Sequence, residues 1–189
     1  MLPPEIIHQK VGRLVKRCGT RDTVKIAEET GVYVHFCSDF ETLLGMYTYM
    51  QKERHILLNA NMAAPTLQMV CGHELGHDIL HRSLAKTMGG LPEIMLFDMR
   101  NTTEYEANAF SAHLCIDDKI LQNLLRMSYS VEQLAASMGV HVNLMLVKLH
   151  ELKRMGWELD LPYIPRADFL SMIQPEVQTE NGISKLRGR

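Results

Sequence analysis

The sequence predicts an α+β fold that is mostly helical, with a small, partly antiparallel three-stranded sheet packed on one motif-bearing helix and a C-terminal helical region. Apolar residues recur at the spacing of an amphipathic helix over most of the chain. The runs of strand-forming residues all lie between positions 32 and 59. We therefore expect one local sheet with helices before and after it.

The N-terminal part of the chain is predicted to contain two helices and then three strands. Gly19 and Gly31 mark the ends of the two helices. The polar segment 51–54 has the length of a hairpin connection, which makes the second and third strands antiparallel. The predicted helices are 5–18 and Thr23–Glu29, and the predicted strands are 32–36, Gly45–Met50 and 55–59.

The remaining helices follow the sheet. Pro65 stands where a helix can begin, and the helix predicted over 66–80 contains Gly72 and Gly76. Two helical glycines cost about 1 kcal/mol each, which is reasonable if another backbone packs very close. Segment 82–101 has no sustained period and is predicted to be a long loop. Further helices are predicted over Thr102–Cys115, 119–126, Val131–Met138 and 142–155.

Length and composition limit the possible organisation and location. The 189 residues are predicted to form a main domain over 1–126, a helix-turn-helix-like region over 127–174 and a disordered tail over 175–189. A net charge of −2 gives no general attraction to nucleic acid. The four cysteines include no CxxC pair, which favours buried thiols in a reducing compartment. With no apolar run of membrane-spanning length and no signal-like start, we expect a cytoplasmic protein without membrane contact.

The most informative motif is His73-Glu74-Leu75-Gly76-His77. On a helix, His73 and His77 lie four residues apart on one face, so both imidazoles can bind one Zn²⁺. Glu74 lies about 100° around the helix and can reach a water molecule activated by that metal. Two ligands and one general base are what a metal-assisted hydrolase requires. The motif therefore predicts one catalytic Zn²⁺ with Glu74 as the catalytic residue.

A catalytic zinc usually takes its third protein ligand from a separate element. The helix predicted over Thr102–Cys115 places Glu104 and Asn108 on one face and Glu106 and His113 on another. Small side chains on the Glu104 side would allow a close approach to the two glycines: Ala107, Ser111 and Ala112. We therefore predict Glu104 as the third ligand and Asn108 as the residue that orients a ligating histidine. Glu106 and His113 are expected to face solvent.

Other residues near the motif have open roles. His81 lies one turn beyond His77 and could be a fourth ligand, an oxyanion partner or a polar cap. The loop predicted from position 82 favours the cap. For the oxyanion, Tyr105, His113 and a residue of segment 82–101 all remain candidates.

Two segments together resemble the ImmA/IrrE family of metallo-endopeptidases. They are HELGHDILH at 73–81 and EYEANAFSAHL at 104–114, and the similarity extends over roughly 11–157. The resemblance implies a gluzincin-like zinc peptidase and agrees with Glu104 as third ligand. The family usually ends the second segment with a small-to-apolar stretch and proline, whereas this chain has Cys115-Ile116-Asp117. This departure affects the helix end and not the ligands.

The predicted function is a zinc-dependent endopeptidase that cuts a specific protein. Glu74 takes a proton from the attacking water and passes it to the leaving amine. Strand Gly45–Met50 is expected to pair with an extended substrate. The resemblance implies that the substrate is a helix-turn-helix repressor of a mobile element or of a stress response.

Two alternatives stay open. The chain could be a non-catalytic metal-binding transcriptional regulator that uses its helix-turn-helix-like region, with Gly139 in the turn. Its second helix, however, starts with an almost wholly apolar stretch over 142–147, and its first cation is Lys148. That start favours protein contacts, since a recognition helix needs polar or basic residues there. Alternatively, His81 could close the site as a fourth ligand of a structural zinc.

Overall fold

The computed structural model describes residues 1–88, 102–159 and 161, and these residues confirm the α+β fold. The predicted tail 175–189 and segment 162–174 lie outside the described residues. The helices are α1 (Pro4–Cys18), α2 (Thr23–Glu29), α3 (Ala64–Met88), α4 (Thr102–Cys115), α5 (Asp118–Leu125), α6 (Val131–Met138) and α7 (Val142–Arg154). The strands are β1 (Tyr33–Cys37), β2 (Gly45–Met50) and β3 (Glu53–Asn59).

The three strands form one mixed sheet in the order β1-β3-β2. β2 and β3 are antiparallel, and β1 is parallel to β3. The hairpin turns at Gln51 and Lys52, whose φ angles of 51° and 68° suit the right-handed twist of the flanking strands. Ile56 and Leu58 of β3 alternate inward and are fully buried in the core that the sheet shares with α3. The predicted antiparallel hairpin is confirmed.

Helix α3 is longer than predicted, and the loop predicted from position 82 is wrong for residues 82–88. Arg82 donates from Nε and Nη2 to the two carboxylate oxygens of Asp78, at 3.0 and 2.9 Å. This contact one turn apart supports the helix where the apolar period has ended. The rest of the predicted loop, 89–101, lies outside the described residues.

α3 and α4 cross at the two glycines, as predicted. A Cβ added at Gly76 would lie 3.0 Å from the Cα of Ala107 and 3.2 Å from its carbonyl oxygen. A Cβ at Gly72 would lie 2.9 Å from Oγ of Ser111. The Ser111 hydroxyl also donates to the carbonyl of Met69 at 2.8 Å. The glycines and the small residues opposite them therefore set the distance between the two helices that carry the candidate site.

We expect Gly76→Ala to destabilise the protein by about 1 to 3 kcal/mol, because the new methyl group meets backbone that cannot move separately from α4. Gly12→Ala is a matched control, since Gly12 lies in α1 and has no atom within 4 Å of an added Cβ. That substitution should stabilise by about 0.5 to 1 kcal/mol. Urea unfolding with an unchanged m-value measures both. Equal effects at both positions would contradict the close approach.

The expectation that Glu106 and His113 face solvent is wrong. Their exposed fractions are 5% and 2%, because α4 is covered by α1 and α7 as well as by α3. The ring of His8 in α1 contacts that of His113 at a centroid distance of 5.0 Å. Nζ of Lys148 in α7 lies 2.9 Å from His113 Nδ1. A helix surrounded on all sides has no solvent face, so its polar residues do not mark one.

The C-terminal helices form a second apolar cluster next to the main core. Gly139, with φ of 62°, ends α6 in the left-handed conformation. α7 contributes to both cores: Leu144 and Val147 lie in the main core, and Met145 and Leu146 lie in the second. The division at 126/127 stays a prediction. None of the described helices has the length and apolarity needed to cross a membrane.

The four cysteines are free thiols. Cys71 is completely buried in the main core, whereas Cys18, Cys37 and Cys115 are half-buried. Burial raises the pKa of the Cys71 thiol to about 12. Cys71 therefore behaves as a small apolar core residue, as its sequence context predicts.

Candidate metal centre

Three side chains from α3 and α4 converge at one point. His73 Nε2 lies 3.3 Å from Glu104 Oε2, and His77 Nε2 lies 3.4 Å from Glu104 Oε1. The two histidine Nε2 atoms are 3.0 Å apart. All three side chains are buried, with exposed fractions of 6% or less. The tertiary structure thus brings together the residues that helical geometry assigned to facing surfaces.

The donor set fits a divalent metal. Two imidazole nitrogens and a carboxylate, whose ligand atoms lie within 4.8 Å of one another, are directed at the same space. Lone pairs arranged in this way repel one another unless a proton or a cation lies between them. Two histidines and one glutamate, from two elements, form a ligand set used by catalytic zinc. The residues present therefore fit a three-ligand metal site.

Asn108 lies one helical turn from Glu104 and contacts the other side of His73. The distance from His73 Nδ1 to Asn108 Oδ1 is 2.9 Å. An amide oxygen can only accept, so we assign the proton to Nδ1 of His73. The Nε2 lone pair is then directed at Glu104 and His77, which is the orientation that a metal ligand needs.

Burial and mutual contacts shift the ionisation of the three residues. Burial alone would raise the pKa of Glu104, but its hydrogen bonds to His73 and His77 outweigh burial and lower that pKa to about 2. Burial lowers the pKa of His77 to about 4, against the opposing effect of Glu104. Burial would also lower the pKa of His73, but the bond to Glu104 and its charge raise it. At neutral pH Glu104 is ionised and His77 is neutral, as metal ligation requires.

Glu74 lies beside the start of β2. A Cβ added at Gly45 would be 3.3 Å from both Cγ and Oε1 of Glu74, and 2.6 Å from Val70 Cγ1. The backbone at Gly45 therefore passes directly over the Glu74 side chain, and only glycine permits this approach. Glu74 is 3% exposed. The arrangement places one end of an edge strand next to the predicted general base.

Asp78 ties the sheet to α3, a role that was not predicted from the sequence. It is fully buried and accepts a hydrogen bond from the Tyr47 hydroxyl of β2 at 2.9 Å and one from Arg54 Nη1 of β3 at 2.9 Å. Together with Arg82, these donors surround a carboxylate that directly follows His77 in the chain. An acidic residue four positions before an arginine was the available signal. The network holds the strands against the helix turn that carries His77.

Comparison with known proteins agrees with this geometry. The family model of the IrrE N-terminal-like domain, Peptidase_M78, matches residues 27–150. The chain belongs to this metallopeptidase family. The resemblance to the ImmA/IrrE family is therefore confirmed, and membership of the family supports a metallopeptidase activity.

Two relatives of this Peptidase_M78 chain carry informative names. One is "Uncharacterized immunity region protein 2" of Bacillus phage phi105, 28% identical over 152 residues, which cover 80% of this chain and 94% of the relative. Another is "Metallopeptidase ImmA" of Bacillus subtilis (strain 168), 26% identical over 137 residues, which cover 71% of this chain and 78% of the relative. The similarity therefore extends over most of all three proteins.

Two residues of this Peptidase_M78 chain that were predicted as candidate oxyanion partners, Tyr105 and His113, lie outside the three-residue cluster. The Tyr105 hydroxyl donates to Glu151 Oε1 in α7 at 2.6 Å. His113 belongs to a separate group with His8 and Asp118 at the other end of α4. Both side chains are engaged away from the candidate metal centre, and their roles as oxyanion partners stay predictions.

The expectation that His81 caps the end of the helix is wrong, because α3 continues to Met88. His81 is 5% exposed. Its Nδ1 lies 3.3 Å from His77 Nδ1, and its Nε2 lies 3.0 Å from Glu106 Oε2. One ring nitrogen thus contacts Glu106, and the other contacts Nδ1 of His77, the ring nitrogen opposite the one that lies near Glu104. This geometry disfavours His81 as a fourth ligand.

Proposed function

We propose that this protein is a zinc-dependent endopeptidase with His73, His77 and Glu104 as metal ligands and Glu74 as general base. The convergence of the two histidines and Glu104 next to Glu74 carries the proposal. When bound there, one Zn²⁺ would lower the pKa of a water molecule and polarise a peptide carbonyl. The mixed nitrogen and oxygen ligand set favours zinc over metals that prefer oxygen ligands alone.

The chain's own residues have distinct tasks in this reaction. Glu104 and the two histidines hold the ion, and Asn108 keeps His73 in the tautomer that ligates. The Glu74 carboxylate takes a proton from the attacking water and delivers it to the nitrogen of the leaving amine. The buried setting strengthens each of these electrostatic contacts.

β2 is the strand that we propose for substrate binding. Among the described residues it is an edge strand of the sheet, since β3 is the one strand there that pairs with it. Its first residue, Gly45, contacts Glu74. An extended peptide that adds to this edge would therefore run past the general base. Main-chain hydrogen bonds would hold the peptide without selecting its sequence.

We propose that the protein substrate is a helix-turn-helix repressor and that this protein cuts it in the cytoplasm. The support is the family membership together with the immunity-region name of the phage relative. We propose that the helix-turn-helix-like region of this chain packs against the rest of the protein and binds the protein substrate, and that it does not bind DNA. The start of α7 supports this view, because Leu144 to Leu149 are buried. A buried recognition helix cannot enter a major groove.

The test is to identify new protein N-termini by mass spectrometry in cells that produce the wild type or Glu74→Gln. We expect the wild type alone to generate an internal N-terminus in a helix-turn-helix protein, and the purified, zinc-loaded enzyme to reproduce that cut. A cut in another class of protein would refute the proposal that the substrate is a repressor, but it would support peptidase activity. Identical N-termini in both strains, with no cleavage of purified repressor, would refute the peptidase.

A further inference from the structure

We propose that His81 and Glu106 are positioning residues that hold His77 in its metal-ligating form. This inference rests on the proposed metal site and extends it to two residues that are not among the clustered ligands. A continuous series of side-chain contacts, here called the contact chain, runs from Glu106 through His81 to His77.

The contact chain is continuous and buried. Glu106 Oε2 lies 3.0 Å from His81 Nε2, and His81 Nδ1 lies 3.3 Å from His77 Nδ1. His81 and Glu106 are each 5% exposed and His77 is 1% exposed, so water does not readily replace these contacts. The three residues come from two helices, α3 and α4, which pack closely where they cross at Gly72 and Gly76.

Only one placement of protons satisfies every contact and leaves His77 able to ligate. His77 Nε2 is directed at Glu104 and must keep its lone pair, so Nδ1 carries the proton and donates to His81 Nδ1. His81 must then carry its own proton on Nε2 and donate to Glu106. The opposite placement would put a proton on His77 Nε2, where the metal must bind.

Glu106 decides which partner donates in each hydrogen bond of the contact chain. A histidine alone can accept or donate at either nitrogen, but an ionised carboxylate can only accept. The other oxygen of Glu106, Oε1, accepts from the backbone N–H of Leu2 at 2.5 Å, which fixes the carboxylate from its second side. An acceptor fixed in this way stabilises the donating tautomer of His81, and through it the ligating tautomer of His77.

The two ligating histidines therefore have different outer partners. His73 Nδ1 contacts the neutral amide of Asn108, whereas the contact chain from His77 ends at a carboxylate. Partners of this kind typically change metal affinity by about 10- to 100-fold when they are replaced. Because the carboxylate raises ligand basicity, its charge as well as its shape should matter.

The test measures zinc affinity of the full chain by competition with a chromophoric chelator, and the visible spectrum of the Co²⁺ form. Glu106→Gln should weaken zinc binding by about 10- to 100-fold and shift the Co²⁺ bands. Glu151→Gln is the matched control, because Glu151 is also a fully buried carboxylate that accepts from a side chain of α4, Tyr105. It should leave both zinc affinity and spectrum unchanged.

A second pair of variants separates the hydrogen bond from general packing. His81→Leu removes the acceptor for His77 Nδ1, whereas His81→Asn keeps an amide oxygen near the position of the imidazole Nδ1. We expect the asparagine variant to bind zinc more tightly than the leucine variant. If His81→Leu does not fold, the comparison of Glu106→Gln with Glu151→Gln decides the question alone.

The outcomes distinguish this proposal from the one on which it rests. A wild type that binds no zinc would refute the metal site itself. A wild type that binds zinc, with Glu106→Gln and both His81 variants within about twofold of it, would refute the contact chain and leave the metal site standing. Equal losses in Glu106→Gln and Glu151→Gln would indicate a structural effect only and would also refute the contact chain.

Discussion

Glu74→Gln should abolish measurable peptide hydrolysis while zinc stays bound. Glutamine keeps the size of the side chain and its place beside Gly45, but it cannot accept the proton of the attacking water. General bases contribute about 10²- to 10⁴-fold to rate, so the remaining activity should lie at or below about 1% of the wild type. The rate at which the proposed repressor substrate is cut, measured by mass spectrometry on equal amounts of zinc-loaded protein, gives the comparison.

Zinc content is the necessary control for that experiment. Glu74 is not one of the three clustered residues, so we expect Glu74→Gln to hold as much zinc as the wild type, about one per chain. Substantial hydrolysis by a fully loaded variant would show that another group accepts the proton. Loss of zinc together with activity would mean that Glu74 supports the metal site itself, contrary to the assigned role.

Glu104→Ala should remove most of the bound zinc. It deletes the only carboxylate among the three ligands and leaves the two histidine Nε2 atoms, 3.0 Å apart, without their negatively charged partner. The wild-type carboxylate is ionised at neutral pH, since its pKa is lowered to about 2. Elemental mass spectrometry after dialysis should find about one zinc per wild-type chain and a small fraction of that in the variant.

Glu151→Ala provides the comparison for loss of a buried carboxylate elsewhere. Glu151 is fully buried and contacts Tyr105 and Arg154, away from the cluster. We expect this variant to lose stability and keep its zinc. Equal zinc in the wild type and Glu104→Ala would remove Glu104 from the ligand set. Zinc absent even from the wild type would refute the metal site.

Much of the candidate site could be predicted from local helical geometry. The spacing of His73 and His77 puts both on one face whatever surrounds the helix. The choice of Glu104 over Glu106 followed from the small residues beside it and from the glycines of α3. The structure brings Glu104 to within 3.4 Å of both histidines. Patterns that repeat within one helix are visible in the sequence because their geometry is local.

The hairpin was predictable for a similar reason. β2 and β3 are separated by two turn residues, so their antiparallel pairing follows from the short connection. The parallel pairing of β1 with β3 was not predicted, because it joins segments that are distant in the chain. Local spacing contains no information about such a pairing.

The sequence by itself determined the hairpin, the helices apart from the C-terminal part of α3, and which residues of α3 and α4 share a face. Only the tertiary structure decided which faces are buried. Packing of α1 and α7 on α4 buried Glu106 and His113, which were expected in solvent. Contacts with the sheet enclosed Asp78, and α4 placed Glu106 against His81. The physical reason is that helical periodicity depends on neighbouring residues, whereas burial depends on elements that meet only when the chain has folded.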